Sequence, residues 1–144
     1  MPGIVLTTDL SEESKRAFVP VRQLALKLGL PVTLLAVIED LPFEPTAGGL
    51  MAVYPDRTLL KKDWETGMAA VADTFGRDVC KQVTVLEAAD VPRAIVEFAH
   101  AQKADYIAMA THGRSGLRRL LLGSVAEQIV RHAHVPVLLY PPGA

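Results

Sequence analysis

Cysteine is nearly absent from this chain: Cys80 stands alone among 144 residues. One thiol cannot form an internal disulfide or complete a C-x-x-C metal or redox pair, so a fold held by burial in a reducing compartment is expected. Cys80 itself reads as a small packing residue. Charge of one sign is lacking too, because 15 Lys and Arg meet 16 Asp and Glu for a formal net charge of -1. That balance gives no global field for nucleic acid, so any anion site has to be local. No apolar run approaches the roughly 20 residues of a membrane span, and Leu120 to Leu122 follows directly on Arg118 and Arg119. The opening MPGIVLTTDL has no basic stretch before its apolar run and no small-residue cleavage site, so a cytoplasmic location is expected. Neither G-x-x-x-x-G-K-[ST] nor G-x-G-x-x-G occurs, which excludes two familiar phosphate cradles.

What is present is a chain half apolar and 22% charged, the balance of a single globular domain spanning residues 1–144. Ile4 to Leu6, Val32 to Ile38, Val83 to Leu86, Tyr106 to Ala110 and Val135 to Tyr140 are short runs that are mostly apolar at successive positions. Strands of that kind are buried on both faces. Segments of helical period separate them, so about five parallel strands and four helices are expected in a doubly wound α/β domain.

The first helix is expected to start at Ser11 as N-cap, to bury Ala17, Val21, Leu24, Ala25 and Leu28, to kink near Arg16 because of Pro20, and to stop at Gly29. A second buries Leu60, Trp64, Met68, Val71, Ala72 and Phe75. A third begins near Asp90 and Pro92 and packs through Ile95, Phe98 and Ala99. The fourth starts at Ser124 and buries Val125, Ile129 and Val130. Residues 39–57, punctuated by Pro42, Pro45, Gly48, Gly49 and Pro55, read as one long loop, either a lid or an excursion.

The stretch that carries chemistry follows the fourth strand: AMATHGRSGLRRLLLGSVAEQIV, in which Gly113, Gly116 and Gly123 bracket a turn into a helix. A helix N-terminus presents unpaired N–H groups and partial positive charge, and glycines let backbone approach an anion closely. Between Ala110 and Ala126 there is no acid, while Arg114, Arg118 and Arg119 are present, so the turn suits phosphate. A competing reading takes Ser124 and Glu127 as an S-x-x-E capping box, with no ligand. His112 has no cysteine or paired histidine for a metal, and His132 with His134 make a poor ligand pair. Asp9 after the first strand and Gly113 after the fourth lie at the carboxyl end of the sheet, where open parallel sheets bind ligands. Asp9 also has a structural alternative as a helix-capping carboxylate.

Three stretches resemble the universal stress protein family: IVLTTDLSEESKRAF, ADVPRAIVEFAHAQKADYIAMATHGRSG and GLRRLLLGSVAEQIVRHAHVPVLLY, which together cover most of the chain. The resemblance implies a Rossmann-like domain of the adenine nucleotide alpha hydrolase type with strand order 3-2-1-4-5. It also implies ATP or AMP as ligand, with or without Mg²⁺. The nucleotide-binding branch is similar in carrying G-x-x-G-x9-G-[ST], whose last three positions fall on Gly113, Gly123 and Ser124. The first falls on Ala110, where an added methyl could crowd the ligand. By the same resemblance Asp9 meets the adenine or ribose, Val37 offers backbone to adenine, and Gly113, Gly123, Ser124 and Val125 hold the phosphates. His112 and Gly116, inside the turn, are counted with them. A homodimer through the edge strand Val137 to Tyr140 is implied as well. Function is expected to be nucleotide-dependent binding or signalling in stress response, the alternative being a dimeric interaction module without nucleotide. Slow ATP hydrolysis is the least expected, since only Asp9 and His112 could serve as general base.

Overall fold

A strand that is apolar on both sides has to be covered twice, and the computed structural model, which describes residues 2–40, 57–111 and 123–141, arranges the chain accordingly. Strands β1 (Ile4–Thr7), β2 (Val32–Glu39), β3 (Cys80–Ala88), β4 (Tyr106–Ala110) and β5 (Val137–Tyr140) form one sheet in the order β3-β2-β1-β4-β5. Every pairing is parallel; Ile4 sits opposite Val32 on one side and Tyr106 on the other. Helices α1 (Phe18–Leu28), α2 (Arg57–Phe75), α3 (Val91–Ala101) and α4 (Ser124–His132) make the crossovers. This is the expected single α/β domain with strand order 3-2-1-4-5.

Alternation along each strand sorts side chains between two layers. Ile4, Leu6, Leu34, Ala36 and Ala108 turn toward Val21 and Ala25 of α1 and Met68, Ala72 and Phe75 of α2. Their neighbours Val5, Leu35, Ile107 and Met109 turn the other way, toward Ile95 and Ala99 of α3 and Ala126 and Ile129 of α4. Each isoleucine or leucine so buried contributes about 1.5–3 kcal/mol before chain entropy is counted. Cys80 is buried in the first layer, where desolvation pushes its thiol pKa up, in keeping with a packing role. No helix among the described residues is long and apolar enough to cross a membrane.

Several local expectations need correction. Instead of one kinked helix from Ser11, a 3₁₀ turn at Ser14–Ala17 precedes α1. Pro20 lies in the first turn of α1, where its missing N–H would have had no partner within the helix, so it removes nothing from the ladder. Ser11 is not the N-cap, a position that Glu13 takes, but its Oγ accepts from Ser14 N–H at 3.1 Å in the turn leading into the 3₁₀ helix. Leu28 is 47% exposed and Val130 44%, because each lies at the edge of its helix's buried stripe and turns to solvent. β3 begins at Cys80, ahead of its apolar run, since an edge strand tolerates the exposed Lys81 and Gln82. β5 begins at Val137, two residues late. Glu39 closes β2 and Arg57 opens α2; the remainder of the expected lid, 41–56, is outside the described residues.

Gly29 ends α1 as expected, in the left-handed region at φ 66°, with its N–H donating to Ala25 O. Gly76 was not singled out by the sequence. It turns the chain between α2 and β3 at φ 117°, and a Cβ there would collide with the guanidinium of Arg22 and the carboxylate of Asp78. Those two groups pair side by side, both N···O distances being 2.8 Å, and Arg22 also donates to Phe75 O at 3.2 Å. The pair ties α1 to the α2–β3 corner.

Candidate functional site

β1 lies centrally, with β2 on one side and β4 on the other, so the chain winds away from it in opposite senses and leaves a crevice at the carboxyl ends. A cavity of about 920 Å³ opens there. Asp9, Val37, Ala110, Gly123, Ser124 and Val125, six residues marked by the sequence, all line it. His112, Gly113 and Gly116 lie outside the described residues.

Asp9 is placed by a sharp turn. Thr8 N–H continues the ladder to Leu35 O at 2.9 Å, and Leu10 then adopts φ 66°, an uncommon left-handed conformation for a branched side chain. Gly67 of α2 makes room for that residue, since a Cβ there would stand 3.2 Å from Leu10 Cδ1. The turn leaves Asp9 exposed on the cavity rim, with its Oδ1 accepting from Ser11 N–H at 2.9 Å. Asp9 therefore has the local turn-stabilising role and the cavity position at once.

The helix start differs from the capping-box expectation. Glu127 N–H donates to Gly123 O at 2.9 Å, so the first intrahelical bond begins at Gly123 and Ser124 becomes the first helical residue. The N-cap is Gly123, which supplies no side chain, and Glu127 instead pairs with Arg131 at 2.9 Å. A serine already inside the first turn has helical backbone angles and cannot fold its hydroxyl back as a cap. The N–H groups of Ser124, Val125 and Ala126 consequently stand outside the helix ladder, facing the cavity end of α4. Gly123 has φ -58°, and no described atom lies within 4 Å of where its Cβ would be. Neither backbone conformation nor packing against the described residues requires glycine there; its missing side chain leaves space in the cavity.

Ala110 is 4% exposed, and its methyl belongs to the layer facing α1 with Leu6 and Ala17. That methyl is thus largely taken up by the protein core. Buried hydroxyls also surround the cavity, outside the residues expected from the sequence. Among the described residues the buried polar side chains are Thr7, Thr8, Ser14 and Thr111, and all four line this cavity. A usable signal was present, because threonines directly end two otherwise apolar strands, IVLTT and AMAT. Arg16 and Glu13 add charge of both signs at the lining. Among the described residues no group of three or more His, Cys, Asp or Glu could hold a metal ion, and His134 instead meets the His100 ring edge-on at 6.0 Å.

With this geometry in place, comparison with known proteins gives a consistent result. The universal stress protein family model matches residues 2–141. Universal stress protein MJ0531 of Methanocaldococcus jannaschii is 35% identical over 141 residues, covering 94% of this chain and 79% of that relative. A universal stress protein structure from Archaeoglobus fulgidus superposes with TM-score 0.72 at 21% identity, covering 96% of this chain and 98% of the other. A universal stress protein in complex with cAMP superposes with TM-score 0.69 at 19% identity, covering 99% and 98%. The chain belongs to the universal stress protein family.

Proposed function

We propose that this chain binds ATP or AMP in the strand-end cavity and acts in stress response as a nucleotide-dependent binding or signalling module. One observation carries the reading: the cavity spans from Asp9 and Val37 to the side-chain-free start of α4. Asp9 and Val37 take the nucleoside. Gly123, Ser124 and Val125, with Gly113, take the phosphates, and Ala110, His112 and Gly116 complete the nucleotide-binding set. A volume of about 920 Å³ suits a mononucleotide, and the neighbour solved with cAMP carries an adenine nucleotide on the same fold. Mg²⁺ would enter with the triphosphate, held by phosphate oxygens and water.

Isothermal titration with ATP and with AMP, each with and without Mg²⁺, is expected to give one site per chain. No binding of either at millimolar concentration would overturn the reading. We further propose a homodimer, in which β5, at the sheet edge and half-buried along its length, pairs with its copy. Light scattering after size exclusion is expected to give twice the chain mass; monomer alone at micromolar concentration rejects it.

A further inference from the structure

The four buried hydroxyls around the cavity divide into two kinds. Ser14 Oγ donates to Ser11 O at 2.7 Å, Thr8 Oγ1 and Ser14 Oγ lie 2.6 Å apart, and Leu10 N–H donates to Thr8 Oγ1 at 3.0 Å. Those two hydroxyls are used up inside the protein. Thr7 and Thr111 are 9% and 4% exposed, yet neither hydroxyl has a hydrogen-bond partner among the described residues. Among the described residues, no side-chain oxygen or nitrogen fully removed from solvent lacks a partner either. Both hydroxyls must therefore keep their contact with solvent through the cavity that the two residues line.

Their direction follows from strand alternation. Val5 and Met109 pack in the α3–α4 layer, and Thr7 and Thr111 each come two residues later along β1 and beyond β4, on the same face. Their main chains are fixed: β1 pairs with β4 through Leu6 and Ala108, and Thr111 N–H donates to Tyr140 O at 3.0 Å. The open first turn of α4 meets the cavity in that same layer. The two hydroxyls and the N–H groups that stand outside the α4 ladder line one cavity, and they ask for a ligand atom group rich in acceptors. A base edge, which mixes donors with acceptors, answers that demand less well than a phosphoryl group does.

Resting on the nucleotide reading above, we propose that Thr7 and Thr111 are a neutral donor pair for the phosphoryl group attached directly to the nucleoside, and so select nucleotide over nucleoside. Neutral donors suit a group that mono- and triphosphates share, because they do not depend on its total charge. A buried hydroxyl facing an anionic oxygen also discriminates strongly, since removing the ligand's oxygen leaves the hydroxyl unpaired.

The test titrates AMP and adenosine into the wild type, Thr7→Val and Thr111→Val, with thermal unfolding of each ligand-free protein. Valine keeps the shape and removes the hydroxyl. Each variant is expected to lose about tenfold in AMP affinity, the scale of one hydrogen bond to a charged group. Adenosine affinity is expected to stay within about twofold, and Thr7→Ser and Thr111→Ser are expected to restore AMP binding. If a valine variant fails to fold, Thr7→Ala and Thr111→Ala provide the same comparison. Unchanged AMP affinity, or equal losses for AMP and adenosine, would overturn this proposal while wild-type AMP binding keeps the nucleotide reading standing. A wild type that binds no nucleotide overturns both.

Discussion

At the amino ends of the strands each loop is fastened to the next by the main chain: Ile4 N–H to Pro31 O, Val32 N–H to Val79 O, Asp105 N–H to Gly3 O and Ile107 N–H to Pro136 O. The Arg22–Asp78 pair closes the same end at Gly76. At the carboxyl ends the main chain is paired too, as Thr8 and Thr111 show, and Thr8 bonds Ser14, but the hydroxyls of Thr7 and Thr111 have no partner among the described residues. There the chain keeps two hydroxyls and the first turn of a helix available. On the function proposed above, stability and recognition are divided between opposite ends of the same strands, so substitutions should separate them.

The same glycine-to-alanine change at each end is expected to have opposite effects. Gly76→Ala is expected to cost about 1–3 kcal/mol, because φ 117° is strained for any side chain and the new methyl displaces Arg22 and Asp78. Urea unfolding measures the loss, while AMP affinity stays unchanged. Gly123→Ala is expected to do the reverse. It should lower AMP affinity about tenfold, or ~1.4 kcal/mol, and cost stability no more than the roughly 1 kcal/mol that a changed N-cap residue can cost. Equal effects on both quantities at either site would erase the division.

A finer probe is Ala110→Gly, which restores the family's glycine. Since the methyl packs in the core, this change is expected to lose about 0.5–1 kcal/mol of stability for glycine in a strand. AMP affinity measured by titration should move less than about twofold, well below a tenfold step. A large gain in affinity would show that the methyl crowds the ligand after all.

The smallest effect concerns pH at the amino end. Hydrogen bonds from Arg22, followed by its charge, hold the Asp78 carboxyl below its ordinary pKa. A depressed folded-state pKa gives stability that is present above the unfolded value of about 3.9 and lost as pH falls through the folded value. Asp78→Asn is expected to be slightly less stable than wild type at neutral pH, the gap closing below about pH 4. Both partners are exposed enough for solvent to keep the effect small. A gap that persists in strong acid would mean that Asp78 acts through shape and not charge.

Much of this was legible in the sequence. β4 was read to its end residues because a strand covered on both faces writes itself as an unbroken apolar run. Asp90 was readable as the start of α3, and its side chain does accept from Arg93 N–H at 3.2 Å. The start of α4 at Ser124 is legible, but the competing S-x-x-E cap is not realised, because the motif records which residues are present, whereas the cap depends on which carbonyl accepts the first helical bond. The start of β3 was hidden by Lys81 and Gln82, which an edge strand can leave in solvent. The strand ends IVLTT and AMAT mark Thr7 and Thr111, but not that their hydroxyls lack partners among the described residues, since that depends on neighbours brought together only by the fold. The strand order itself came from family likeness, as local periodicity carries no information on which strands adjoin.

The glycine N-cap of α4 has one more consequence. Helix nucleation is the costly step of helix formation, and a start without a capping side chain leaves part of that step unfinished. An acceptor entering the cavity would complete the first turn as a missing piece of secondary structure. Occupancy would then be written into the backbone as slower amide exchange at Ser124, Val125 and Ala126, so α4 would report the ligand through its own order before any partner is engaged.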